Sequence, residues 1–200
     1  MWEKKSDDGS LHDKDNTYRW AGRCYDGGNN WVGTYCQPDA AAATACAAGT
    51  RSASTVGCGQ CGSRETGNLF GVPTIWQWLV AVNAEGGTGF AGHNDWQIPL
   101  QIPPVASQGT PTAFELDSLV NVGASGCGWG SPCAYSAFNT RCVGRCTVAL
   151  CSCTQSGKYW SATTSVRGLT GAWDVLFDSG GREISNKYFP HYVRAVRGGP

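Results

Sequence analysis

The segment Ala172-Trp173-Asp174-Val175-Leu176-Phe177-Asp178-Ser179-Gly180-Gly181-Arg182-Glu183-Ile184-Ser185 says more about architecture than any other part of the chain. Trp173, Val175 and Phe177 alternate with Asp174, Leu176 and Asp178, the period of two that marks a half-buried strand. On that alternation Trp173, Val175 and Phe177 point inward. Asp174 and Asp178 mark a solvated face that also carries Leu176. Asp178-Ser179-Gly180-Gly181 is turn composition, and Arg182 to Ser185 returns as a second strand. Lys158 to Thr164 reads as a strand before this hairpin and Tyr192 to Arg197 as one after it, so the last 43 residues are expected to be sheet.

Upstream, the pattern predicts an opening edge strand, a polar turn at Ser6-Asp7-Asp8-Gly9 and a short strand Thr17-Tyr18-Arg19-Trp20. Setting the final strand beside the first would tie both ends into one sheet. Ile75, Trp78, Leu79 and Val82 recur at helical spacing behind Thr74, a capping residue, and Gly86-Gly87 follows as a stop. A second short helix is predicted over Ala113 to Val122, capped by Thr112, with Phe114, Leu116, Leu119 and Val120 as its apolar set. Residues 37–67 are biased to Ala, Gly, Ser and Thr. The expected organisation is one domain, 1–200, with insertions at about 24–67 and 123–157.

Hydrophobic residues make up 41% of the 200 residues and charged residues 15%, with a formal net charge of zero. A neutral chain lacks the basic face that nucleic-acid binding needs, so no nucleic-acid partner is expected. No apolar run approaches the roughly 20 residues of a membrane helix, so no membrane insertion is expected. The opening residues lack a signal-peptide core and read as the interior of a strand. A leader removed upstream is therefore expected, which leaves localisation open.

Eleven cysteines fall into a group of five (Cys24, Cys36, Cys46, Cys58, Cys61) and a group of six (Cys127, Cys133, Cys142, Cys146, Cys151, Cys153). An odd total leaves at least one thiol unpaired or bridged elsewhere. Such density is unusual in a reducing cytosol and favours an extracellular, cell-surface or virion location, with disulfides restraining loops that have little to bury. The competing readings are free thiols or a structural metal held by Cys142, Cys146, Cys151 and Cys153. Cys58-Gly59-Gln60-Cys61 has the spacing of a redox pair but lacks a surrounding βαβ pattern.

Several motifs carry a resemblance when taken in order. They are Met1-Trp2-Glu3-Lys4, Tyr18 with Trp20, Trp78-Leu79 with Val82-Asn83, and Gly89-Phe90-Ala91-Gly92-His93-Asn94-Asp95-Trp96-Gln97-Ile98-Pro99. Glu115-Leu116 with Ser118-Leu119-Val120, Tyr159-Trp160-Ser161-Ala162-Thr163-Thr164, Ala172-Trp173 with Val175 and Phe177, and Tyr192 to Gly199 complete the series. The series resembles the Lcl C-terminal-like domain family of the C-type-lectin-like superfamily. That resemblance implies an α+β, C-type-lectin-like fold: two short helices packed on a small twisted antiparallel sheet, with long Cys-rich loops and insertions. It also implies a binding module rather than an enzyme, with no cofactor.

The C-terminal stretch, about 162–191, further resembles the hypervariable segment of variable proteins from diversity-generating retroelements, in which adenines of Asn codons are randomised. Such codons cannot yield Trp, Met, Glu, Gln or Lys, and between Ser165 and His191 only Trp173, Glu183 and Lys187 fall outside the reachable set. The expected ligand contacts are Ser165, Val166, Arg167, Leu169, Thr170, Asp174, Leu176, Asp178, Ser179, Arg182, Ile184, Ser185, Tyr188, Phe189 and His191. Arg167, Leu176, Tyr188 and Phe189 are the expected anchors. The partner would be a protein or glycan. A fixed-specificity surface adhesin is the alternative, and an oxidase of the formylglycine-generating type, using Cys151 or Cys153, is a third reading. His93, Asn94 and Asp95, with Glu115 nearby, invite a calcium site. A turn whose Asn and Asp bond the local backbone is the simpler account. His12 and His191 lack a visible nucleophile or acid partner, and no nucleophile-elbow, phosphate-loop or dinucleotide motif occurs.

Overall fold

The fold is taken from a computed structural model, which describes residues 1–21, 23–25, 31–35, 74–102, 113–165 and 170–198. Its centre is an antiparallel sheet of β6 (Lys158–Thr164), β7 (Gly171–Leu176) and β8 (Arg182–Asn186), with β7 in the middle. Trp160 pairs with Asp174, which pairs with Glu183; Trp173 pairs with Ile184 and Val175 with Arg182. Paired residues share a face, so Trp160, Ala172, Asp174 and Ser185 line one side and Tyr159, Trp173, Val175 and Ile184 the other. Both sides are covered. Trp160 and Ala172 join a core with Trp20, Ile75, Trp78 and Val193. Tyr159 and Val175 join a second core with Leu116, Leu119 and Phe177. The solvated face expected for Asp174 is therefore absent, because packing on both sides overrides the polar half of the alternation.

The hairpin turn is seated against the Cys-rich loop. Gly180 has φ of 77°, and a Cβ there would stand 2.4 Å from Val122 Cγ1. Only glycine satisfies both the left-handed backbone and that close approach. Cys133 N donates to Phe177 O at 2.6 Å, fastening the same loop under the end of β7.

The helix α1 (Ile75–Ala84) forms where the spacing predicts it. Thr74 Oγ1 accepts from Gln77 N (3.3 Å) while Gln77 Oε1 accepts from Thr74 N (2.9 Å), a reciprocal cap that satisfies two otherwise orphaned donors. Ile75, Trp78, Leu79 and Val82 are its buried stripe, and the chain leaves the helix through Gly86 and Gly87, both at positive φ. The second helix does not form. Ala113–Phe114 is instead a strand (β5) paired with β4 (Gln101–Ile102), followed by a 3₁₀ turn at Leu116–Leu119. The 3₁₀ period places Leu116 and Leu119 on one side, and both are buried. Ser118 Oγ donates to Glu115 O (2.7 Å), a local bond that competes with an α-helical ladder. The molecule is thus α+β with one α-helix among the described residues and several small antiparallel sheets.

The remaining described strands are β1 (Tyr18–Arg19), β2 (Arg23–Tyr25), β3 (Trp31–Tyr35) and β9 (Pro190–His191). β2 pairs with β3, and β1 pairs with β9. The ends of the chain meet as expected, through single bridges rather than a continuous strand: Val196 bridges both Trp2 and Gln97, and Tyr192 bridges Tyr159. At the junction lies Glu3, fully buried. Its Oε1 meets Lys5 Nζ (2.9 Å) and His12 Nδ1 (2.8 Å), and its Oε2 accepts from Ala195 N (2.8 Å). His12 Nε2 reaches Glu85 Oε2 (3.0 Å), and its ring stacks on Phe90 at 3.9 Å.

Burial pushes the Glu3 carboxyl up, but Lys5 and His12 outweigh it and hold the group below the usual carboxylate value of 4.5. Burial pushes His12 down, but Glu3 and Glu85 hold its pKa above 6.5. Glu3 therefore stabilises the fold above the ordinary carboxylate range and loses that contribution as pH falls through its lowered value. His12 contributes fully below 6.5 and loses its share as pH rises through its raised value. Urea unfolding of Glu3→Gln should show a loss of about 3–5 kcal/mol at neutral pH, because Lys5 is left as an uncompensated buried charge. The variant's stability should also vary less with pH on both the acid and the alkaline limb. A loss below about 1 kcal/mol would contradict this account.

Candidate recognition surface

The expected contact residues separate by burial. Asp178, Ser179, Arg182 and Phe189 are exposed, Phe189 at 57%. Thr170, Leu176, Ile184 and Tyr188 are half-buried. Ser165, Asp174 and Ser185 are buried, and His191 lies nearly covered, its side chain 11% exposed. Val166, Arg167 and Leu169 lie outside the described residues. Ser165, Asp174 and Ser185 thus leave the set of direct contacts, since a side chain without exposed surface cannot meet a ligand.

The exposed members form two groups at opposite ends of the β7–β8 hairpin. Leu176, Asp178, Ser179 and Arg182 surround the turn, and Arg182 forms an ion pair with Asp117. Thr170, Tyr188 and Phe189 stand at the other end, where Tyr188 N donates to Asn186 Oδ1 (3.0 Å) and the Arg19 guanidinium lies 4.0 Å from the Tyr188 ring centre. A strand of six residues separates the ends by roughly 20 Å. Between them sits the cross-strand pair Trp173 and Ile184, both half-buried. Trp173 is the residue that alternation misassigned. It shares the face of Val175 but is not among the residues packed with Leu116 and Leu119, and it stands with Ile184 between the two groups. The pairing partner Ile184 is the signal that marks it, and pairing is not legible before the turn is placed.

On the opposite face of β7, Asp174 Oδ2 lies 3.6 Å from His191 Nε2, and the His191 ring stacks on Trp160 at 4.2 Å. His191 Nδ1 lies 2.6 Å from Pro190 O. A carbonyl only accepts, so Nδ1 carries the proton and Nε2 turns a lone pair toward Asp174. Neither carboxylate oxygen of Asp174 has a hydrogen-bond partner among the described residues. Burial raises Asp174 to about 6, against smaller opposing effects of Ser185 and Lys158. Burial lowers His191 to about 4. Lys158 forms an ion pair with Glu183 and lies 3.5 Å from Ser185. Lys158 and Glu183 had no place in the sequence-based set.

The other candidates resolve simply. Asp95 pairs with Arg197 (2.8 Å), and Glu115 accepts from Leu100 N (2.6 Å). Neither belongs to a cluster of metal-ligating side chains among the described residues. Cys127–Cys133, Cys142–Cys153 and Cys146–Cys151 form three disulfides. The other five cysteines lie outside the residues whose side chains are described. An apolar cleft of about 500 Å³, lined by Trp2, Phe90, Trp96 and Val148 among others, involves no hairpin residue. No described helix is long and apolar enough to cross a membrane.

The raised pKa of Asp174 means that its ionised form is unwelcome in the fold. Stability from this group is complete below 3.8 and is lost as pH rises through about 6. Asp174→Asn should therefore stabilise the protein by about 1–3 kcal/mol near pH 7.5, with the gain gone near pH 4, read from urea unfolding at both values. An equal effect at the two pH values would show that ionisation of Asp174 is not involved. Compared with known proteins, the chain matches no family model, no curated protein and no solved structure.

Proposed function

We propose that this protein is a ligand-binding module whose β7–β8 hairpin displays interchangeable contacts, as in a variable protein of a diversity-generating retroelement on a C-type-lectin-like scaffold. The observation that carries the reading is a division of labour within one hairpin. Val175 and Phe177 are buried against Leu116 and Leu119, while Asp178, Ser179, Arg182 and Phe189 stand in solvent and Leu176, Ile184 and Tyr188 are half-exposed. Side chains of the second kind can change with little effect on the core. Of the residues that adenine randomisation cannot produce, Lys187 fits the same division and Glu183, though half-exposed, is tied to the scaffold by an ion pair. Lys187 is fully buried with its ammonium 4.0 Å from the Trp20 ring centre, and Glu183 is held by Lys158.

The partner is a protein or glycan. Phe189 and Tyr188 supply apolar anchors, with Trp173 between the two ends and Arg182 as a charged contact. The disulfides suit an oxidising setting and support an extracellular, cell-surface or virion location. The exposed set on the hairpin, Asp178, Ser179, Arg182 and Phe189, suits contact with a partner, so the reading is recognition.

Two measurements test the proposal. Sequencing the coding locus across a population should reveal substitutions concentrated at Leu176, Asp178, Ser179, Arg182, Ile184, Tyr188 and Phe189, with Trp160, Val175 and Phe177 constant. A near-copy of the segment, differing at adenines, should lie beside a reverse transcriptase. An invariant locus without such a copy would instead indicate a fixed-specificity adhesin. In a library randomised at Asp178, Ser179, Arg182 and Phe189, most members should keep their unfolding free energy within about 0.5 kcal/mol per substitution. Val175→Ala should cost about 1–3 kcal/mol. Widespread unfolding in the library would remove the basis for a tolerant display surface.

A further inference from the structure

Four cysteines converge in the second Cys-rich loop. A bridge between Thr140 and Ser152, with Thr140 N donating to Ser152 O (2.9 Å) and Ser152 N to Thr140 O (3.1 Å), brings Cys142 beside Cys151 and Cys153. Cys142 and Cys146 each follow a residue in the left-handed region, Arg141 (φ 55°) and Arg145 (φ 67°). Non-glycine residues adopt that conformation at a cost, so the turns that aim these two side chains are imposed by the surroundings. Cys146, Cys151 and Cys153 are buried, and their sulfurs all lie within 4.8 Å of one another. The pairs are Cys142 with Cys153 and Cys146 with Cys151, yet Cys146 Sγ is also only 3.6 Å from Cys153 Sγ. Two disulfides in contact bring three buried sulfurs together, and Cys142 adjoins them through its bond to Cys153. Thiolates about 2.3 Å from a shared zinc ion lie about 3.7 Å apart along a tetrahedral edge, close to that cross-pair separation.

The charges next to this cluster favour an anion there. Arg194 is fully buried; its Nη2 donates to Cys153 O and to Thr154 Oγ1, and its Nη1 has no hydrogen-bond partner among the described residues. Cys153 N donates to Lys5 O (2.9 Å), which places the segment bearing buried Lys5 on the other flank. Lys5 is paired with Glu3. Glu3 is the carboxylate that acts on Arg194, and the neutral disulfides add no counter-charge of their own. A zinc ion held by four thiolates carries two negative charges and supplies one.

We propose that Cys142, Cys146, Cys151 and Cys153 form a redox-gated zinc site: two disulfides when oxidised, a four-thiolate zinc centre when reduced. Two equivalents of a dithiol reductant deliver four electrons and four protons, cleave both S–S bonds and leave as two cyclic disulfides. One zinc ion then replaces the four thiol protons and forms four Zn–S bonds. Either state closes the loop between residues 142 and 153, so the scaffold keeps its cross-links in reducing and in oxidising surroundings.

The test uses the full chain, reduced with a phosphine under anaerobic conditions and titrated with Co²⁺, then Zn²⁺. One equivalent of Co²⁺ should give the visible absorption of a tetrahedral cobalt thiolate, and Zn²⁺ should abolish it. Peptide-mapped alkylation of the wild-type chain should show Cys142, Cys146, Cys151 and Cys153 reacting about tenfold more slowly with Zn²⁺ than without, while Cys127 and Cys133 react equally in both. Cys146→Ser with Cys153→Ser should remove the cobalt spectrum, and Cys58→Ser with Cys61→Ser should retain it. The proposal is overturned if no cobalt thiolate spectrum appears. It is equally overturned if zinc protects Cys58 and Cys61 while the four cysteines of the loop alkylate at the metal-free rate.

Discussion

A buried carboxylate sits where the two ends of this chain meet, beside the backbone bonds that join them. Glu3 accepts from Ala195 N at one oxygen and meets Lys5 and His12 at the other, and His12 passes the contact on to Glu85 beyond the end of α1. Removing these charges from water costs several kcal/mol per ion, and the geometry must return that cost. It does so through three partners on one carboxylate, with Lys5 also lying 4.6 Å from the Trp78 ring centre. The sheet depends on this junction, because Val193 packs in the same core as Trp160 and Ala172. A polar interior of this kind specifies which segments meet, where an apolar one would accept other arrangements.

Part of this could be read from the residues. The α1 stripe follows from Ile75, Trp78, Leu79 and Val82, its cap from Thr74 and Gln77, and the β7–β8 hairpin from alternation around Gly180-Gly181. The second helix could not, because Leu116 and Leu119 satisfy an α-helical and a 3₁₀ spacing alike. What separates the two is the pairing of Ala113–Phe114 with Gln101–Ile102, a long-range fact. The buried charges were equally hidden. Glu3, Lys5, Lys187 and Arg194 look like surface residues in any window, and only their partners elsewhere in the chain explain their burial.

The candidate surface shows the same limit. Alternation assigned Asp174 to solvent and Trp173 to the core, and the fold reverses the emphasis. Asp174 is buried because the side chains of its strand partner Trp160 and of His191 from β9 stack together on that side. Trp173 sits half-exposed beside Ile184 because β8 is the edge of the sheet. Strand period gives the face of a residue but not whether another element covers that face. The exposed ends of the hairpin, by contrast, were legible, since turn residues and a Tyr-Phe-Pro loop have few ways to be buried.

The wedge of Gly180 against Val122 bears on how the tip of the hairpin would meet anything. The loop carrying Val122 is itself closed by Cys127–Cys133, and Cys133 is bonded to the backbone of Phe177. Asp178 and Ser179 are therefore offered from a turn clamped on two sides. Little chain disorder remains there to be surrendered on association, so even a small footprint at the tip retains most of its contact energy as affinity.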